Sequence, residues 1–161
     1  MASMTPATTW LARHGVRWRE HVYAYVDRGG TGESARQLGV PEHRIVKTLV
    51  MVDEQRAPLL VLMHGDRTVS TRRLARALGC RSIAPADPGL AQRVTGCQVG
   101  GISPFNTKRA MRTCVERGIL ALESILINGG RRGYLIEIDP AVLLSPLGAV
   151  VVDCGLEEGG R

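Results

Sequence analysis

Aromatic side chains and lysines are scarce in this sequence. Only six aromatic residues are present, 4% of the chain, and four of them (Trp10, Trp18, Tyr23, Tyr25) fall in the first 25 positions. The stacking platforms on which single-stranded nucleic acid is bound are therefore missing, so contact with a polyanion would run through phosphates or one flexible end. Cysteine is sparse too. Cys80, Cys97, Cys114 and Cys154 form no C-x-x-C pair and have no histidine at ligand spacing, so no metal site or dithiol chemistry is expected. No apolar run approaches the length of a membrane span, and no basic segment with an apolar core opens the chain. The expectation is a cytoplasmic protein with reduced thiols and no membrane partner. The sequence also lacks a G-x-S-x-G elbow, an H-E-x-x-H helix, a P-loop and a close acid pair. An enzyme made from these residues needs no cofactor and would work through backbone donors, one lysine and groups on its own substrate.

Positive charge is abundant. The 161 residues carry 21 Lys+Arg against 15 Asp+Glu, a net +6, and 19 of the 21 are arginine. Residues 67–112 hold nine basic groups and one acid, Asp87, for a local +8. A solvated face and a phosphate-binding track both fit such a run. The length and a 44% hydrophobic content suit one domain with its own core.

The pattern predicts a short helix over residues 5–14, a strand over 16–25, and a helix entered at Thr31-x-Glu33-Ser34 and stopped by Gly39. Residues 45–52 and 59–63 read as a strand pair. Ser70 caps a helix over 71–78, with Leu74, Ala77 and Leu78 on one face and Arg72, Arg73 and Arg76 on another. A helix follows Asp87-Pro88, a hairpin joins 125–127 to 134–138, a short helix follows Pro140, and 149–152 is a strand. The expected fold is α/β of the α+β kind: a mixed, mostly antiparallel, barrel-like sheet of about seven strands with surrounding helices. It is read as a single domain over residues 1–156, with a frayed tail at 157–161.

Three segments invite chemistry. Lys47 interrupts an apolar strand in a chain that otherwise prefers arginine. It either faces solvent or lines a pocket, where a compact charge holds a phosphate, a ribose oxygen or a developing oxyanion. Residues 96–105 (GCQVGGISPF) contain paired glycines that let consecutive N–H groups converge on an oxygen, or simply make a tight turn. Residues 128–133 (NGGRRG) form either a ligand-facing loop or a plain hairpin turn.

These segments occur in a telling order: Val46-Lys47-Thr48-Leu49, Ala91-Gln92-Arg93-x-Thr95-Gly96, then Val99-Gly100-Gly101-Ile102-Ser103-Pro104-Phe105, then Asn128-Gly129-Gly130. Together they resemble the YbaK/EbsC family of free-standing aminoacyl-tRNA deacylases, related to the editing domain of bacterial prolyl-tRNA synthetases. The resemblance spans residues 5–153. It implies a trans-editing hydrolase of mischarged tRNA, most typically cysteine on proline tRNA. It further implies catalytic roles for Lys47 and Gly101. Tyr23, Thr48, Gly100, Ile102, Ser103, Pro104, Phe105, Asn128 and Gly129 would bind the substrate. Lys47 would anchor the terminal adenosine or its phosphate, and the amides of residues 101–103 would hold the carbonyl oxygen. Water, a substrate thiol or a ribose hydroxyl would attack. Arg72, Arg73 and Arg76 are expected to hold the tRNA, with prolyl-tRNA synthetase as a further candidate partner. Two positions depart from the cysteine-specific pattern: Asn128 stands for serine and Leu135 for aspartate, which leaves alanine, serine and threonine esters open. Asn106 replaces a glycine after Phe105, a change that a left-handed backbone tolerates. The rival readings are a non-catalytic tRNA- or synthetase-binding module and a small-molecule esterase.

Overall fold

The first helix, α1 (Pro6–Arg13), starts where Thr5 and Thr8 cap each other: the Thr5 hydroxyl accepts from the Thr8 N–H while the Thr8 hydroxyl accepts from the Thr5 N–H. The computed structural model describes residues 4–157. Along them follow β1 (Arg19–Val22), α2 (Gly30–Leu38), β2 (Ile45–Asp53), β3 (Pro58–His64), β4 (Arg67–Val69) and α3 (Thr71–Leu78). Then come β5 (Ile83–Pro85), α4 (Pro88–Thr95), β6 (Arg112–Glu116), β7 (Ile125–Asn128), β8 (Tyr134–Ile138), β9 (Val150–Val152) and β10 (Gly155–Glu157). Single 3-10 turns precede β2 (Glu42–Arg44) and follow β6 (Arg117–Ala121) and β8 (Pro140–Leu143).

The main sheet runs β1-β8-β7-β2-β3-β6-β9, with β5 added beside β2 and with β4 and β10 paired separately. Within it four pairings are antiparallel and three parallel, so the sheet is mixed and mostly antiparallel as expected. Ten strands are present among the described residues instead of about seven. The additional ones, β4, β5, β6 and β10, have three to five residues, too short to carry an apolar period of their own. Glu157, expected to open a frayed tail, closes β10 opposite Arg67, and residues 158–161 lie outside the described residues. The strand expected over 16–25 is limited to Arg19–Val22, the stretch that β8 pairs.

β3 holds the core together because it lies between β2 and β6 and is buried on both faces from Leu59 to His64. Leu59, Val61 and Met63 pack with Leu74 and Ala75 of α3, while Leu60 meets Ala91 and Val94 of α4 and Leu62 meets Val46, Phe105 and Val115. Each such buried side chain contributes about 1.5–3 kcal/mol relative to exposure. α3 has the predicted bounds, between the Ser70 cap and Gly79, but Ala75 is buried in place of Ala77. The α2 entry also differs. Thr31 lies inside the helix and its hydroxyl reaches away to Glu42 and the Gly65 carbonyl instead of capping.

Candidate active site

β2 is paired along its whole length on one side only. On the other side β7 covers Ile45 and Val46, β5 covers Met51 to Asp53, and no strand covers the stretch between. Because the Ile45 carbonyl accepts from Gly65 on the β3 side and the Val50 carbonyl accepts from Ala86 on the β5 side, strand alternation turns the Thr48 backbone into this gap. A cavity of about 920 Å³ occupies it. The same alternation puts Lys47, like Ile45, on the α2 side of the sheet and Thr48, like Val50, on the α4 side, and both residues line the cavity.

Lys47 is half-buried and its Nζ donates to the Gly65 carbonyl at 3.4 Å. Gly65 is glycine for a steric reason: a Cβ there would stand 2.8 Å from the Glu42 carbonyl oxygen and 2.7 Å from the Thr31 hydroxyl. The Thr31 hydroxyl bridges Glu42 Oε2 at 2.7 Å and the Gly65 carbonyl at 3.2 Å. None of Thr31, Glu42 and Gly65 was singled out by sequence, and all three line the cavity. No motif joins them; the packing of α2, the 3-10 turn and the end of β3 does.

Thr48 carries the one buried side-chain oxygen among the described residues that has no hydrogen-bond partner. Tyr23 lines the cavity with its phenol held neutral, since burial pushes its pKa up more than the Gly133 backbone bond lowers it. Leu135 packs with Ala35, Ile45 and Leu126, giving this end of the cavity an apolar wall.

The glycine loop and the hairpin loop are locked to each other. A Cβ on Gly101 would lie 2.6 Å from the Arg132 nitrogen and 2.7 Å from the Arg131 carbonyl carbon, so only glycine permits the contact. Asn128 is inside this joint. Its Oδ1 accepts from Gly130 and Arg131, and its Nδ2 donates to the Gly100 carbonyl. Arg132 donates to the Val99 carbonyl at 2.9 Å and lies over the Tyr25 ring.

The loop's donors are distributed differently from expectation. The Gly101 N–H is bonded to the Gln98 carbonyl at 2.8 Å, and Gly101 does not line the cavity. Ser103, Pro104, Phe105 and Gly129 are likewise buried away from it. Gly100 and Ile102 are the loop residues at the cavity whose N–H groups take part in no hydrogen bond among the described residues. Asn106 sits at φ 59, the left-handed conformation that its side chain tolerates. Arg72, Arg73 and Arg76 are exposed on α3 and none reaches the cavity.

The structure also gathers His43, His64 and Asp66, whose ligand atoms lie within 4.8 Å of one another. The His43 Nδ1–H donates to Asp66 and the His64 Nδ1–H to the His43 carbonyl, while the two rings stack at 3.8 Å and 8°. Ring lone pairs in parallel planes do not converge on one point, so the cluster is poorly shaped to chelate an ion. No helix of the described residues is long and apolar enough to cross a membrane. Cys114 and Cys154 are buried thiols, and burial raises the pKa of both, that of Cys154 to about 12.

A mixed α/β domain with a ligand-sized cleft at a gap in its sheet, one lysine in that cleft and a glycine loop at its edge defines a class of small binding and hydrolysing domains. Residues 29–145 match the aminoacyl-tRNA editing domain, and the chain belongs to that family. It is 29% identical over 142 residues, 88% of this chain and 87% of the relative, to a protein of Enterococcus faecalis (strain ATCC 700802 / V583) named as a candidate Cys-tRNA(Pro)/Cys-tRNA(Cys) deacylase, EbsC. It is 28% identical over 96 residues to the proline–tRNA ligase of Lactobacillus delbrueckii subsp. bulgaricus (strain ATCC BAA-365 / Lb-18), a match covering 60% of this chain and 17% of the ligase. The crystal structure of a hypothetical protein superposes with a TM-score of 0.86 at 27% identity, covering 94% of this chain and 100% of that one.

Proposed function

We propose that this protein is a trans-editing deacylase that hydrolyses the ester of mischarged tRNA, with proline tRNA carrying cysteine or another small amino acid as its substrate. Family membership supports the reaction class. The observation that carries the reading is Lys47, half-buried at the gap in β2 and lining the same cavity as Gly100 and Ile102, whose N–H groups take part in no hydrogen bond among the described residues. In the reaction a water oxygen adds to the ester carbonyl carbon, the bond to the ribose oxygen breaks, and that oxygen takes a proton. The amino acid leaves as its carboxylate, and the second proton of the water passes to solvent. Lys47 holds the ribose or terminal phosphate, and backbone donors meet the charge growing on the carbonyl oxygen. One well-aimed donor of this kind contributes roughly 3–4 kcal/mol elsewhere.

Leu135 closes one end of the pocket with hydrocarbon. Asn128 is occupied in joining the two loops, so it shapes the pocket through backbone position. The exposed arginines of α3 would bind the acceptor stem by its phosphates. The sequence relation to a proline–tRNA ligase supports work alongside prolyl-tRNA synthetase in the cytoplasm, where tRNA is charged.

The test is a panel of cysteinyl-, alanyl-, seryl- and threonyl-tRNA(Pro) with purified protein. Release of at least one amino acid is expected. Four intact esters alongside salt-dependent tRNA binding would favour the non-catalytic module, and equal turnover of free aminoacyl esters would favour a small-molecule esterase.

A further inference from the structure

Six charged residues line the cavity: Asp27, Arg28, Glu33, Glu42, Lys47 and Arg132. Asp27 and Arg28 are exposed. Glu33 is answered by Arg36 at 2.5 Å and by Gln37 at 2.7 Å, which together hold its carboxyl below the ordinary range. Arg132 is tied to Val99 and Tyr25. Glu42 is different. It is partly buried, it takes part in no ion pair of the described residues, and its hydrogen bond is the one that its Oε2 accepts from the neutral Thr31 hydroxyl.

Glu42 and Lys47 are placed by one element. The Gly65 carbonyl accepts from both Thr31, the partner of Glu42, and Lys47. A carboxylate, through Thr31, and an ammonium are thereby tied to one backbone oxygen, and both line the cavity. An aminoacyl ester presents the complementary arrangement. Its α-ammonium is bonded to the carbon on one side of the ester carbonyl, and the ribose and terminal phosphate that Lys47 holds lie on the other side. A partly buried carboxylate with no ion pair among the described residues is the group that such an ammonium satisfies.

We propose that Glu42 receives the substrate's α-ammonium, so that the site selects esters with a free amine over those whose amine is acylated. Thr31 and Gly65 set the direction of the Glu42 carboxylate. The inference rests on the deacylase reading and narrows its substrate class: peptidyl- and formyl-aminoacyl-tRNA carry the same ester but are rejected. Neutral amide nitrogen cannot replace the charge, and the acyl group adds bulk beside Thr31.

The experiment compares one cleavable aminoacyl-tRNA from the panel with its N-acetylated form, using wild-type protein and Glu42→Gln. The glutamine variant retains an oxygen for the Thr31 hydroxyl, so its fold is kept. Wild-type protein is expected to prefer the free amine by roughly 10-fold or more in kcat/KM, the scale of a hydrogen bond to a charged group. In Glu42→Gln that ratio falls towards about 1, chiefly through a higher KM for the free amine. A wild-type ratio near 1, or a loss of the same factor on both substrates in the variant, overturns the assignment. Intact esters of both forms with wild-type protein would instead sink the deacylase reading itself.

Discussion

Replacing Thr48 with valine should make the protein more stable. The substitution removes one oxygen and keeps the side-chain shape. That oxygen is buried and has no hydrogen-bond partner, whereas its neighbours on β2 are paired or apolar. Leaving a hydroxyl buried and unsatisfied costs roughly 1–3 kcal/mol. For a chain of this size each kcal/mol moves Tm by roughly 2–4 °C, so Thr48→Val should melt about 2–12 °C higher. The assay is thermal unfolding followed by circular dichroism, checked by urea midpoints at constant m-value. A lower Tm in the valine variant would refute the reasoning, since it would mean that the hydroxyl already contributes to the folded protein.

Gly101→Ala should push the glycine loop from the hairpin loop, since the new Cβ meets the Arg131 and Arg132 backbone at 2.6–2.7 Å. A loss of about 1–3 kcal/mol in urea unfolding, with lower activity, is expected. Reversing the charges of Arg72, Arg73 and Arg76 should raise KM for tRNA and reduce the salt dependence of binding by about 2–3 units of slope. An unchanged KM would make α3 a solvated face. His64 supplies a pH prediction. Burial, the largest influence, holds its imidazole below the ordinary 6.5 despite the bond to the His43 carbonyl. The unfolded chain therefore binds a proton more readily, so stability is complete above 6.5 and declines as pH falls through the folded-state value. Urea midpoints from about pH 8 to about pH 5 should show this decline in wild-type protein and less of it in His64→Gln.

Much of the fold was legible because its signals are local. The Ser70 cap, the arginine face and Gly79 bound α3 to the residue, and two apolar runs announced β2 and β3. β6 was invisible for the opposite reason. Arg112–Glu116 has no local mark of a strand and becomes one only between β3 and β9, in parallel pairings that the core imposes. The site divides the same way. Lys47 was conspicuous as a lysine in an apolar run, but its partner Gly65 and the nearby Glu42 are ordinary residues until folding brings them together. The glycine loop was recognisable as a source of donors. Which amides remain unused depends on the Gln98 carbonyl bonding Gly101, and no spacing in the sequence reveals that.

The central claim is that Lys47 acts on the ester inside the cavity. Single-turnover deacylation of the preferred aminoacyl-tRNA by Lys47→Ala and Lys47→Arg tests it most directly, with tRNA affinity measured in parallel. The account predicts that the rate collapses by at least about 100-fold in Lys47→Ala, the loss of one stabilising group. Lys47→Arg should recover little of it, since a planar fork does not replace a point charge held by Gly65. A near-wild-type rate in Lys47→Ala would contradict the account.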